Sequence, residues 1–346
     1  MGKQLTVIVG AGASYDLIPG LGGTSLATAN ATVNPDYQPP MAADLFKYRR
    51  TFQGILENYP RARSLAATIG IRVTRGEGLE AVLRSLRDST EENIVRQFRQ
   101  IPLFLQELFG DISDYHTSEP VNYTHLMNQV LISDYEKVAF VTLNYDLFLE
   151  KSLAGVDGAK FDSLDSYVPT GRRWMLVKLH GSVNWARRVR TDPKPVNDDQ
   201  VLRIVDENPV EDHLAEDIEF LPNRQERWTH EAGLLYPAIA VPVEGKYGFV
   251  CPPAHVDALE RFLPSCQNYL VIGVSGRDQD LLDLLHTRVK KCSELMIVGG
   301  GDVAEVASRL TTKVQFFGGR RAVTAAGGFS RFIMNETLEE FLARLK

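Results

Sequence analysis

A short apolar run, Leu5 to Val9, that stops at Gly10-Ala-Gly12-Ala-Ser14 constrains this chain more than any other feature. β-branched residues packed into so few positions and bounded by glycine predict a buried strand. Glycines at the end of that strand predict a tight turn into a helix start, where backbone amides and the helix dipole suit an anion such as a pyrophosphate. The full GxGxxG is not met, because Tyr15 stands where the third glycine would be. Nor is there a strand to carry an acidic ribose-binding residue about twenty positions on. For this motif alone, a glycine-rich turn without a ligand stays open beside the phosphate reading.

Strand-like runs recur further along. Val138 to Leu143, Met175 to Leu179, Tyr269 to Val274, Leu295 to Val298 and Lys313 to Phe317 are predicted strands. Helices are predicted after the second strand through Leu153, over Asp280 to Val289, over Asp302 to Leu310, and over Glu336 to Leu345. This alternation predicts an α/β fold, a Rossmann-like and mostly parallel sheet with helices on both faces. Two stretches interrupt it. Residues 42–133 carry helical spacing, as in Leu79, Val82, Leu83 and Leu86, and predict a helical insertion. Residues 186–250 are charged and rich in proline and predict an irregular insertion. Ile18 to Pro40 is expected to be a long loop and a lid. The organisation expected is one domain over 1–346, with 269–346 completing the sheet and a closing helix.

Composition narrows the class. The chain has 346 residues, 44% of them hydrophobic, enough for a sizeable core. A formal charge of −6 counts against an electrostatic grip on nucleic acid. The basic clusters at Arg172-Arg173, Arg187-Arg188 with Arg190, and Arg320-Arg321 are read as solvated loop faces. No apolar run is long enough to cross a membrane and no signal peptide is evident, so a cytoplasmic location is expected. Cys251, Cys266 and Cys292 are far apart and unpaired in pattern, as in a reduced core.

Three further motifs fall at predicted strand ends, the edge where open α/β sheets meet ligands. Thr142-Leu143-Asn144-Tyr145-Asp146 offers an Asn that can both donate and accept. Asn144 and Asp146 can equally cap the helix that follows. Lys178-Leu179-His180-Gly181-Ser182 places an imidazole at a strand end, suited to proton transfer near neutral pH. Gly273-Val274-Ser275-Gly276 makes another turn, followed by Arg277-Asp278 and by Asp280, a helix-start carboxylate. Gly299-Gly300-Gly301 closes a further strand and either accommodates a base or only turns the chain.

In this order, the motifs Gly10-Ala-Gly12-Ala-Ser14, Thr142-Leu143-Asn144-Tyr145-Asp146, His180-Gly181-Ser182 and Gly273-Val274-Ser275 resemble those of the sirtuin superfamily. That resemblance implies a Rossmann-like NAD⁺ domain with Asn144 and His180 in the catalytic positions. It also implies that Gly10, Ala11, Gly12, Ala13, Ser14, Thr142, Asp146, Gly273 and Ser275 line the dinucleotide. The deacylase sirtuins' four zinc-ligating cysteines are missing after His180, so no metal is expected. Their Pro-Asp-Phe-Arg segment is replaced by Ile18-Pro19-Gly20. With its two insertions the chain is similar to the sirtuin-like NAD⁺ hydrolases of bacterial antiphage defence, in which NAD⁺ is the substrate and its depletion halts the phage. The same resemblance implies a HerA-like hexameric ATPase as partner; a NAD⁺ hydrolase must be held off until triggered, so a homo-oligomer is expected, while the charge and the apolar runs predict no strong nucleic-acid binding and no membrane. NAD⁺-dependent protein deacylation and a non-enzymatic NAD⁺ or ADP-ribose sensor are the rival expectations.

Overall fold

The structure is a computed structural model that describes residues 3–18, 34–116, 121–190, 195, 197–208, 210–229, 233–243, 245, 248–318 and 322–343. Six strands form the main sheet: β1 (Gln4–Val9), β2 (Lys137–Thr142), β3 (Trp174–Lys178), β8 (Asn268–Ile272), β9 (Glu294–Gly299) and β10 (Val323–Ala326). Their order is β10-β9-β8-β1-β2-β3 and every pairing is parallel. Strand order reverses between β1 and β8, which makes this a doubly wound α/β sheet whose switch point lies where the glycine motif ends β1.

Alternation along each strand sorts the core into two layers, because successive side chains point to opposite faces. Leu5, Val7, Val9, Val138, Phe140, Leu176, Leu270, Ile272, Met296 and Val298 pack on one face. Ile8, Ala139, Val141, Val177, Tyr269, Val271, Leu295 and Ile297 pack on the other. The core of the first face runs on into the 42–133 segment, whose helices are α2 (Arg50–Glu57), α3 (Pro60–Thr74), α4 (Leu79–Arg87), α5 (Glu92–Phe98), α6 (Ile101–Tyr115) and α7 (Val121–Ile132). With α7, the helices α1 (Ala11–Tyr15), α8 (Phe148–Asp157), α13 (Gly328–Met334) and α14 (Thr337–Ala343) pack in the same core. The second face is covered by α10 (Pro253–Phe262), α11 (Gln279–Arg288) and α12 (Val303–Lys313).

Two expectations need correction. The 186–250 stretch is not irregular: it holds α9 (Asp198–Glu207) and most of a four-stranded antiparallel sheet. That sheet comprises β4 (Gly181–Val189), β5 (Glu219–Phe220), β6 (Trp228–Thr229) and β7 (Gly233–Ile239), in the order β5-β4-β7-β6. Pro237 hid β7, since proline lacks the ladder donor and argues against an inner strand. Here Pro237 pairs with Ala186, where the β4–β7 register shifts between Gly181 and Ala186 and an irregular ladder tolerates the missing amide. Lys313 to Phe317 is not a strand either. Val314 caps the end of α12, its amide donating to Leu310 O, and Phe317 donates to Val314 O in a turn. Both side chains are buried three positions apart, a helical rather than a strand spacing. The sixth strand is β10 instead. Most of the expected lid, residues 19–33, and the Arg320-Arg321 cluster lie outside the described residues. The three cysteines are free and buried, and no described helix is long and apolar enough to cross a membrane.

Candidate functional site

At the switch point three glycines interlock. A Cβ on Gly10 would lie 2.6 Å from Gly273 O, and one on Gly12 would lie 2.9 Å from Gly273 Cα. One on Gly273, which has φ +64°, would lie 2.1 Å from Ala13 N. Gly10 donates to Ile272 O, Gly12 to Gly273 O and Ala13 to Gly10 O, at 2.9 to 3.0 Å. The glycines thus serve the close passage of two backbone turns, and the amides of Gly10, Gly12 and Ala13 are engaged inside the protein. Ala11 is half-buried at the start of α1.

Beside this knot lies a buried polar network. Thr142 ends β2, and its Oγ1 accepts from the Asn144 amide at 3.0 Å, which shapes the turn. Asn144 is 8% exposed, and its Nδ2 donates to Gly10 O at 3.0 Å and to Ser14 Oγ at 2.9 Å. Ser14 donates to Asp146 Oδ2 at 2.7 Å and lies 2.9 Å from the Tyr123 hydroxyl of α7. Asp146 Oδ1 accepts from Phe148 N, the first amide of α8, so this carboxylate also secures a helix start. Burial pushes the Asp146 carboxyl up to about 6 against the opposing pull of the Lys178 ammonium.

His180 follows β3 at the same level at which Asn144 follows β2. Thr142 and Lys178 are register partners, and Leu179 N donates to Thr142 O. The two residues therefore project from neighbouring strands, two positions past paired residues. His180 Nε2 lies 2.9 Å from Asp278 Oδ2, each side chain about one-fifth exposed. Burial pushes the Asp278 carboxyl up, but His180 and the Leu281 amide outweigh it and hold the group below the ordinary carboxylate range. An ionised carboxylate accepts only, so Nε2 carries a proton toward Asp278, and in the neutral imidazole Nδ1 is then the acceptor. Gly181, at φ +87°, turns the chain next to His180, and a Cβ there would lie 1.9 Å from Ala238 O.

The carboxyl ends of β1, β2, β3 and β8 therefore bring together Gly10, Ser14, Asn144, Asp146 and Gly273 in one contact network, with His180 on the adjacent strand end. Ser275 stands apart: it is exposed, and its carbonyl accepts from Arg309 at 2.9 Å. Asp280, read as a helix-start carboxylate, accepts from Gly248 N, while Asp278 is the residue that caps α11 through Leu281 N. Gly300 lies 3.9 Å, from its Cβ position, from Gly328 Cα. Sequence reasoning missed the roles of Asp278, Tyr123, Glu150 and Lys178. Asp278 was visible as a carboxylate on a strand-end turn; Tyr123 carried no signal, because its partner is 109 positions away. Among the described residues no group of three or more His, Cys, Asp or Glu side chains is placed to hold a metal ion.

Neither the known protein families nor the curated proteins match this chain. Several solved structures are similar to it at low identity. A Sir2 enzyme described for its mechanism and regulation is 13% identical, with 99% of this chain and 93% of that one covered and a TM-score of 0.43. A Sir2 homologue with a serine-to-alanine substitution, in complex with ADP-ribose, is 12% identical, with 99% and 94% covered and a TM-score of 0.43. A sirtuin described for its substrate affinity is 15% identical, with 97% and 94% covered and a TM-score of 0.41.

Proposed function

We propose that this chain binds NAD⁺ at the carboxyl edge of the parallel sheet and hydrolyses its nicotinamide–ribose bond, with Asn144 and His180 as the catalytic residues. The observation that carries the reading is the His180–Asp278 pair, 2.9 Å apart, on the strand end next to Asn144. A histidine oriented by an ionised carboxylate is a general base with a defined free nitrogen. Nicotinamide leaves as a neutral molecule from a cationic ribosyl linkage, so departure needs little acid assistance. The positive charge that develops at the anomeric carbon needs stabilisation, and an incoming water needs orientation. In this reading His180 Nδ1 takes a proton from a ribose hydroxyl, Asp278 holds the imidazole, and Asn144 Oδ1 accepts from the water or the ribose diol. Ser14, Asp146 and Thr142 hold Asn144 from behind. Gly10, Ala11, Gly12, Ala13 and Gly273 form the wall along which the rest of the dinucleotide lies, with the exposed Ser275 at its outer end.

Cellular depletion of NAD⁺ in antiphage defence belongs to the same proposal, with activity held back until a trigger acts through oligomer contacts or a HerA-like hexameric ATPase. Co-elution of such an ATPase with this chain in gel filtration tests that partner. The test of the activity is nicotinamide release from NAD⁺ by the purified chain, alone and with extract of phage-infected cells, beside Asn144→Ala and His180→Ala. The expected result is release that falls about 10²- to 10⁴-fold in either variant while the fold is kept. Release at the wild-type rate from both folded variants overturns the assignment, and release that requires an acetylated peptide makes the chain a deacylase.

A further inference from the structure

Lys178 is the last residue of β3, wholly buried, and two positions before His180. Its ammonium donates to Glu150 Oε1 at 2.7 Å, to Tyr145 O at 3.4 Å and to Asp146 O. Three ammonium hydrogens thus meet three acceptors. All three acceptors belong to the Asn144-Tyr145-Asp146 turn or to α8, the helix that the turn begins. Burying a Lys–Glu pair stabilises a fold no better than apolar side chains of the same size. Glu150 Oε2 is moreover buried with no hydrogen-bond partner among the described residues. Packing alone gives no reason for this pair to be where it is.

The directions of the hydrogen bonds give one. A cation beside Asp146 favours its carboxylate form, which only accepts. Ser14 must then give its single hydrogen to Asp146 Oδ2, and its oxygen is left to accept from Asn144 Nδ2. The second amide hydrogen of Asn144 goes to Gly10 O. Nδ2 is therefore turned inward, and Oδ1 is the atom left for a ligand. A neutral Asp146 can itself donate to Ser14, which frees the serine hydrogen and leaves Gly10 O as the one fixed acceptor that holds the Asn144 amide in this orientation.

We propose that Lys178, acting through Asp146 and Ser14 and beside the Gly10 carbonyl, is a positioning residue that fixes Asn144 as a hydrogen-bond acceptor for a hydroxyl donor, the class to which a ribose diol or a water belongs. This inference rests on the reading of Asn144 as the ligand-facing residue. The charged and titratable groups that face Asp146 are Lys178 from β3, Glu150 and Lys151 from α8, and Tyr123 from α7. Lys178 is the strongest influence opposing burial, and Glu150 acts in the other direction.

The experiment is a carbon-13 NMR titration of the Asp146 carboxyl in the full chain, wild type and Lys178→Met, read beside the pH profile of NAD⁺ cleavage. The wild-type midpoint is expected at about 6. Lys178→Met is expected to raise it by about one unit or more, a tenfold or larger gain in proton affinity, and to carry the acid limb of the cleavage profile upward with it. Because the single variant leaves Glu150 buried and unpaired, the double variant Lys178→Met with Glu150→Gln is measured as well, with an upward shift again expected. A merely structural lysine would lower stability and leave the midpoint where it is; an unmoved midpoint in a folded variant overturns the proposal. An acid limb that stays put while the carboxyl titration moves also overturns it. If the titration moves and the wild-type chain cleaves no NAD⁺ under any condition, the hydrolase reading fails and the role of Lys178 in orienting the amide stands.

Discussion

Replacing Gly273 by alanine tests the interlocked turns at the switch point directly. The added Cβ would lie 2.1 Å from Ala13 N and 2.5 Å from Gly12 C, both backbone atoms that no rotamer change can move aside. Residue 273 also sits at φ +64°, where a side chain costs about 1–2 kcal/mol. Overpacking against fixed atoms costs about 1–3 kcal/mol more, which brings the expected loss to roughly 2–5 kcal/mol. Against a total stability of about 5–15 kcal/mol that is a large share. For 346 residues the unfolding entropy is about 0.7 kcal/mol/K, so the midpoint of thermal unfolding should fall by about 3–7 °C. Gly300→Ala is the control, because the nearest atom to its Cβ position is 3.9 Å away. Gly12→Ala, with a closest approach of 2.9 Å and an ordinary φ, should fall between the two. Circular dichroism melts of the three variants give the ranking. Equal midpoints for Gly273→Ala and Gly300→Ala would refute the idea that backbone passage, rather than a ligand, requires the glycine.

Other outcomes follow from the charges. Asp278→Asn should lower NAD⁺ cleavage about 10²- to 10⁴-fold, because an amide no longer enforces the His180 tautomer that leaves Nδ1 free. The same substitution should change acid stability. The folded carboxyl lies below its unfolded value of about 3.9, so its contribution is present above that pH and is lost as pH falls through the folded value. Unfolding midpoints below about pH 4 should therefore depend less on pH in the variant. Asp146 has the opposite sign. Its carboxyl is raised to about 6 in the fold, so the stabilisation it gives is complete below about 3.9 and disappears as pH rises through 6, a change of roughly 3 kcal/mol. Urea unfolding of wild type and Asp146→Asn at pH 4 and pH 7.5 should show the variant gaining relative to wild type at the higher pH. A constant difference between the two proteins would contradict the raised value.

The parallel sheet was legible in the sequence because buried strands announce themselves as apolar runs ending in glycine or in polar residues at one edge. Val138 to Leu143 and Tyr269 to Val274 sit within one or two residues of β2 and β8. The antiparallel sheet was not legible. Two of its strands are two residues long, and a third contains Pro237, whose tolerance depends on a register shift in a partner strand that no local pattern records. β10, Val-Thr-Ala-Ala, alternates between half-buried and exposed positions and carries too little apolar signal to compete with the Val314–Phe317 run nearby. At the site, position was legible and partnership was not. Asn144 and His180 stood out as polar residues at strand ends, whereas the link from His180 to Asp278 depends on a turn that reaches across from β8 to the end of β3.

That His180 sits between two sheets has a mechanical consequence. β3 stops at Lys178 and β4 starts at Gly181, so Leu179 and His180 carry the chain from the parallel sheet into the antiparallel one. Ala240 N donates to His180 O, and Val250 N to Leu179 O, so the return of the chain from the smaller sheet is fastened to the same two residues. Asn144 follows β2 of the larger sheet, and its neighbour Tyr145 is tied to the smaller one, its carbonyl accepting from Val183 N of β4 and its hydroxyl donating to Ala240 O. The joint acts as a fulcrum: a displacement of β4 reaches the imidazole through Leu179 and His180, and it reaches the asparagine turn through the Val183–Tyr145 hydrogen bond. The two groups are therefore fastened to the smaller sheet at adjacent points and would move with it together.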